Sequence, residues 1–360
     1  MTFSSPINFV DDHRFSCNSC GKCCSNSWRI RVTVPEAERL SQLEATKKLE
    51  KRGFIPLKIA DEGAEIGLTD DGACPYLEDD GCEVHREVGG EQKPFTCQMY
   101  PFGAINTPDG YFVSLSFSCP AVLVGSGNAV SSHEAGLRRL LSTDNETYSG
   151  KVNRIRATEK RDLEWSQYRE LEAKLLDRGN WADPVRELLR LACWIVANEA
   201  DDRLLSPVED GFENSIVYRE TLNIFPVFVA NIVSVLDLPE LPDSRNDFVS
   251  DFLENFEWEY IPDLVVHDIP NRYLKNQVFG KRLLVSPTIA VRLLALAVAV
   301  AILLYYLRIR TENLKIRSLD MDAVEWAFEM VESSIITHAS DFDPLLLEFE
   351  RTISKYAALE

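Results

Sequence analysis

Thiol chemistry dominates the first third of the 360-residue chain. The stretch "FSCNSCGKCCSNSWRI" (15–30) holds four cysteines in eight positions: Cys17, Cys20, Cys23 and Cys24. Cys74, Cys82, Cys97 and Cys119 follow, so eight of nine cysteines precede residue 120, and Cys193 stands alone. Adjacent cysteines rarely bond to each other, because the small ring strains the disulfide. Three uses remain: bridges to distant partners, a metal or iron–sulfur site, or a redox thiol pair. The opening residues "MTFSSPINFVDDHRFSC" show no basic segment, apolar run or small-residue cleavage site of a secretory signal. The expectation is a cytoplasmic, reducing location, where clustered thiols serve as ligands rather than bridges.

The spacing is C-x2-C-x2-C-C, then C-x7-C-x2-H, then Cys97 and Cys119. Thiolates are soft ligands for zinc, copper(I) or iron–sulfur clusters. C-x2-C-x2-C begins the bacterial ferredoxin run, which a remote Cys-Pro completes. Cys74-Pro75 and Cys119-Pro120 could each play that part. The paired Cys-x2-Cys hooks of a zinc ribbon are absent. Cys17, Cys20 and Cys24 give C-x2-C-x3-C, the reverse of the radical S-adenosylmethionine order, so that assignment is rejected. The candidate metal ligands are therefore Cys17, Cys20, Cys23, Cys24, Cys74, Cys82, Cys97 and Cys119, enough for two four-cysteine sites or for one site with structural thiols. A [4Fe-4S] cluster is favoured, with zinc as the alternative. Gly21, Gly72 and Gly81 permit close approach of backbone donors to the sulfurs. His85 reads as a hydrogen-bonding neighbour of the loop. His13, His133, His267 and His338 have no partners at ligand spacing, and Cys193 reads as a small core hydrophobe.

The elements that must position these thiols are short at first. "WRIRVTV" (28–34) alternates like a strand, and Pro35 opens a helix running to Arg52. "DDGACPYLEDDGCEVH" (70–85) places Asp-Gly turns around two cysteines. "FGAINTPDGYFVSLSFSC" (102–119) reads as a hairpin turning at Pro108-Asp109-Gly110. Val113, Leu115 and Phe117 should face one way, and Ser114, Ser116 and Ser118 the other. The hairpin's second strand should return Cys119 toward the cluster. Beyond "GSGNAVSSHEAG" (125–136) the pattern is helical. Asp183 with Pro184, and Asp343 with Pro344, look like an N-cap followed by Pro at the first helical position. "LLALAVAVAILLYYL" (293–307) is apolar on every face but short for a membrane span, so it is expected to be a core helix, with membrane association unexpected.

The fold class expected is α+β: a cysteine-rich metal-binding domain over 1–125 with short strands and a hairpin, then a mostly α-helical domain over 126–360. A net charge of −19 argues against general nucleic-acid binding.

"CNSCGKCC", "ACPYLEDDGCEVH" and "KPFTCQMYPF" together resemble the YkgJ-type cysteine-cluster family, described as zinc- or iron-chelating. Gln98 stands where that family often has arginine. "IPNRYLKNQVFGKRLL" (269–284) and the long helical half resemble the flagellin lysine-N-methylase (FliB-like) branch. That resemblance implies methyl transfer from S-adenosylmethionine to lysines of flagellin, a cytoplasmic protein substrate. Such chemistry needs a desolvated neutral amine and groups that take its proton. Tyr100, Tyr273 and Asn276 are candidates by position in the resembling segments. "AVLVGSGNAV" (121–130) offers a lone G-x-G, which reads as a linker before a cofactor loop. Two functions follow: a protein-lysine N-methyltransferase with a cysteine-bound cluster, or a non-enzymatic metal-cluster module for redox sensing or iron handling.

Overall fold

The computed structural model describes residues 5–25, 28, 30–60, 63–79, 81–143, 150–177, 181, 183–235, 265–314, 321–332, 335 and 339–360. The architecture is α+β, with short strands toward the N-terminus and a helical remainder. Packing divides the chain into two units. The first comprises residues 1–4, 12–103 and 119–149, and the second residues 5–11, 104–118 and 150–360. The second strand of the hairpin, Gly110–Leu115, therefore lies in the helical unit, while Cys119 lies in the thiol-rich one.

Within the first unit, α1 (Lys22–Ser25) is a single turn. The expected strand at 28–34 shortens to Arg31–Val32, because Val34 already opens α2 (Val34–Ser41). The expected helix from Pro35 to Arg52 is two helices, α2 and α3 (Glu44–Lys51), parted at Gln42–Leu43. The cause is distant in sequence: the Glu87 carboxylate accepts the amides of Glu44 and Ala45 at 2.9 and 3.1 Å, capping a new helix start. Thr46 Oγ1 donates at 2.6 Å to the Leu40 carbonyl, which also accepts the Leu43 amide at 3.1 Å. A three-stranded antiparallel sheet runs Arg31–Val32, Gly63–Ile66, Leu57–Ala60. A two-stranded ribbon pairs Leu77 with Cys82. The remaining helices are α4 (Glu83–Val88), α5 (Phe95–Met99), α6 (Pro120–Val124) and α7 (Glu134–Thr143). Leu40, Val32, Tyr76 and Val84 anchor this unit's core.

A four-stranded sheet has the order Ile7–Asn8, Gly110–Leu115, Phe102–Thr107, Gly150–Lys151, with both outer pairings parallel. The helices are α8 (Trp165–Asp177), α9 (Pro184–Ala197), α10 (Ile216–Val235), α11 (Val265–Phe279), α12 (Ile289–Leu314), α13 (Met321–Val331) and α14 (Ala339–Ala357). Asp183 caps α9 as expected, accepting the Arg186 amide at 3.1 Å. The matching expectation at Asp343 is corrected: α14 begins at Ala339, so Pro344 falls inside it.

The apolar run at 293–307 lies in α12, which packs against α9, α13, α14 and the Ile155–Thr158 strand. Residues 289–307 are almost wholly buried there, as a core helix without an amphipathic face would be. Both α12 and α10 are long and apolar enough to cross a membrane by length and composition.

The serine face of the hairpin is covered as well. Ser114 and Ser118 are buried, so both faces of this strand are covered. Asn276 on α11 clamps Leu115, accepting its amide and donating to its carbonyl, both at 2.8 Å. Glu332 accepts the Ser116 hydroxyl at 2.6 Å and the Ser118 amide at 2.7 Å.

Candidate metal centre

Five of the expected cysteines, Cys23, Cys24, Cys74, Cys82 and Cys97, line one cavity of about 40 Å³ in the first unit. Each reaches it from a different local device. Gly21, with φ +73°, turns the chain so that its carbonyl accepts the Cys24 amide at 2.8 Å, which starts α1 and presents two adjacent sulfurs. The Cys74 amide then bonds the Cys24 carbonyl at 2.7 Å, joining segments fifty residues apart by sequence number. Cys82 ends the ribbon opposite Leu77 and serves as N-cap of α4. Cys97 sits in α5, whose start is fixed by Glu36: its carboxylate accepts the Phe95 amide at 2.7 Å and the Thr33 amide at 2.8 Å.

The sulfurs of Cys23 and Cys24 are 4.0 Å apart. Tetrahedral ligation at a metal–sulfur distance of about 2.3 Å needs sulfurs roughly 3.8 Å apart, so this pair fits a shared ion. Among the described residues, no three Cys, His, Asp or Glu side chains already meet in ligation geometry. The thiols instead line the walls of the cavity. The donor set is soft and free of carboxylates, which suits zinc, iron–sulfur or copper(I) and not calcium or magnesium.

The electrostatics agree with a site that binds metal by exchanging protons. The Cys23 thiol is held far above its ordinary pKa by its hydrogen bond with Cys24 and by burial. For Cys24 the bond with Cys23 favours the thiolate, but the bond with Cys74 and burial outweigh it, and the pKa is pushed up to about 11. Burial pushes Cys97 up to about 12, opposed by the Lys93 ammonium. Without a cation these thiols hold their protons at neutral pH; a bound metal displaces them. Lys93, Trp28 and Tyr76 also line the cavity and did not emerge from the sequence as site residues. Lys93 opens the "KPFTC" segment, which was the available signal.

Cys17, Cys20 and Cys119 do not line that cavity. Cys17 and Cys20 are exposed, Cys119 is buried, and Cys119 lies within electrostatic range of both. Burial raises Cys119 to about 11, opposed by the amides of Val122 and Ala121 at the start of α6. The eight thiols thus separate into a group of five and a group of three. The G-x-G segment fixes the smaller group's backbone. Gly125 ends α6 in the left-handed region, and Gly127, at φ +99°, abuts Ser16 so closely that a Cβ would lie 2.5 Å from its hydroxyl. Phe15 donates its amide to the Asn128 carbonyl at 2.9 Å, and Arg14 bridges Ala129. "AVLVGSGNAV" is therefore a helix stop and a clamp on the cysteine segment.

Of the other residues singled out, His85 packs beside Gly90 and does not line the cavity. Tyr100 does line it and meets Trp28 edge-on at 4.5 Å. Gln98 donates to the Lys93 carbonyl at 2.6 Å and accepts from Arg139 on α7 at 3.2 Å, so a basic group absent from position 98 arrives from elsewhere in the fold. Cys193 is fully buried in α9. His338 lies outside the described residues, as does the side chain of His267.

Comparison with known proteins agrees with this geometry. Residues 16–120 match the model of the CxxCxxCC family, described as "Putative zinc- or iron-chelating domain". An uncharacterized protein of Methanocaldococcus jannaschii is 30% identical over 98 residues, which is 27% of this chain and 32% of that protein. The match thus spans about a third of that curated relative's length. No solved structure matches the chain. The cysteine-rich region matches a zinc- or iron-chelating family, and the match encloses all eight clustered cysteines.

Proposed function

We propose that the thiol-rich unit holds a thiolate-bound metal centre, a [4Fe-4S] cluster in preference to zinc, and that the protein works as a metal-cluster protein in a reducing cytoplasm. The observation that carries this reading is the convergence of Cys23, Cys24, Cys74, Cys82 and Cys97 on one cavity. Such a cluster supplies one-electron redox chemistry or an ordering metal; the chain supplies thiolates, with Lys93 beside them to offset their charge. Protein purified without oxygen should contain iron and sulfide and absorb broadly in the visible. Cys24→Ser and Cys97→Ser should abolish this, and Cys193→Ser should leave it intact. Zinc without colour would make the centre a zinc site. A wild-type protein that takes up neither metal ends the proposal.

Methyl transfer from S-adenosylmethionine to lysines of flagellin is the finer form of this reading, supported by the resemblance of residues 269–284. Two residues of that segment have architectural work: Asn276 clamps the Leu115 backbone, and the Tyr273 ring packs edge-on against Phe117 and Phe328. Calorimetry with S-adenosylmethionine on cluster-loaded protein separates the alternatives. Binding followed by label on flagellin lysines supports the methylase. No binding with the centre intact favours the non-enzymatic module.

A further inference from the structure

The three-stranded sheet of the first unit stops before its pattern does. Its register sets two rows across the strands: Val32, Ala64 and Ile59 in one, Arg31, Glu65 and Lys58 in the next. Residues opposite one another in an antiparallel sheet point to the same face. The first row faces the core, where Val32 is 3% exposed and Ala64 5%, yet Ile59 is 96% exposed. The core that covers the inner strands thus ends short of the Leu57–Ala60 strand. Ile55, just before that strand, is 66% exposed as well. The second row faces away from the core and alternates in charge. Arg31 pairs with Glu65 at 3.7 Å, and exposed Lys58 ends the series as a cation. Among the described residues the Leu57–Ala60 strand has a neighbour on one side only. The Gly67 amide bonds the Pro56 carbonyl at 2.9 Å. By the alternation of a strand, the N–H and C=O groups of Leu57 and Ile59 therefore point outward from the sheet.

An open edge of this kind accepts another strand. Lys58 decides which one. A second copy of the chain, pairing through the same strand with like faces matched, sets Lys58 opposite or diagonal to its counterpart, where like charges repel. A strand with a carboxylate opposite Lys58 instead continues the alternation of Arg31, Glu65 and Lys58. An apolar residue opposite Ile59 continues the other row and covers it. We propose that the Leu57–Ala60 edge docks an extended segment of a partner protein in which acidic and apolar side chains alternate. The main chain of Leu57 and Ile59 supplies the hydrogen bonds, Ile59 the apolar contact and Lys58 the choice of charge. A chain of net charge −19 repels acidic peptides in general, so saturable binding of one would report a local site. This inference stands independently of the metal centre.

The test uses the full chain, purified without oxygen, and two short fluorescein-labelled peptides read by fluorescence anisotropy. One alternates valine with glutamate, the other valine with glutamine. The glutamate peptide should bind saturably and roughly threefold tighter than the glutamine peptide, the effect of one opposed charge pair. Lys58→Gln should remove that preference. Ile59→Ser should weaken both peptides roughly tenfold, through the lost apolar contact. Both side chains are exposed, so both variants should unfold at the wild-type denaturant midpoint. The proposal is overturned if neither peptide binds, or if either variant binds the glutamate peptide as tightly as wild type. It is overturned equally if sedimentation shows a wild-type dimer that Ile59→Ser dissolves, which would give the edge to a second copy.

Discussion

The thiol-lined cavity and the α12 helix are two opposite solutions to filling an interior. Around the 293–307 run of α12 the interior is apolar: Leu293, Leu294, Leu296 and Ile302 are fully buried, and each such residue contributes about 1.5–3 kcal/mol by leaving water. Around the cavity, five of the wall residues are cysteines, and Cys24, Cys82 and Cys97 pack against a core cluster that includes Leu40 and Val32. The first interior is filled by apolar protein atoms apart from a small apolar void beside Ala295 and Val298. The second reserves space lined by groups whose best partner is an ion. Metal should therefore govern the stability of one unit and leave the other unchanged.

Metal removal gives the sharpest version of that contrast. Stripping the centre from anaerobically loaded protein should weaken amide protection over residues 12–103 by several kcal/mol, within the roughly 10 kcal/mol that structural metals supply in small domains. Protection over 289–307 should not move. Equal loss in both stretches would dissolve the contrast.

Leu296→Ala probes the other side. A cavity at this fully buried position should cost about 2–5 kcal/mol in chemical denaturation of the helical signal, with metal content unchanged.

A smaller effect is a slope in pH. Burial raises the Glu332 carboxyl above the ordinary glutamate range, despite bonds from Ser116 and Ser118 that favour its charge. The folded chain then holds this proton to higher pH than the unfolded chain does. Stability from this group is complete below the ordinary value and is lost as pH rises through the raised one. Glu332→Gln keeps an acceptor for Ser116 and should flatten that part of the pH–stability curve, as denaturation at a series of pH values will show. An unchanged slope would assign it to other buried carboxyls.

The smallest effect is local. Asp183→Ala removes the cap on α9 and should cost about 1 kcal/mol in a denaturant melt, with no change at the thiols.

What could be read in the sequence was local or chemical. Asp183-Pro184 carried its own helix start, and the cysteine spacing announced soft-metal ligation, in keeping with the match to a zinc- or iron-chelating family. What could not be read was imposed from far along the chain. The break between α2 and α3 depends on Glu87, more than forty residues away. Ser114, Ser116 and Ser118 alternate as an exposed face should, yet α11 and Glu332 cover them from more than 150 residues downstream. Lys93 went unnoticed because one lysine among 38 basic residues has no signature until a cavity appears beside it. The five-and-three division of the thiols was equally hidden, since Cys20 and Cys23, three positions apart, fall on opposite sides of it.

The hydrogen bond that the Cys74 amide donates to the Cys24 carbonyl has a bearing on biogenesis. The cavity's sulfurs emerge from the ribosome in order, and the last, Cys97, leaves well after the first. A nascent chain paused before that point lacks the last of the five cavity thiols and the α5 segment that carries it. On the proposed function, the complete five-thiol cavity becomes available to a metal only once Cys97 has been made and the segments around Cys24 and Cys74 have met.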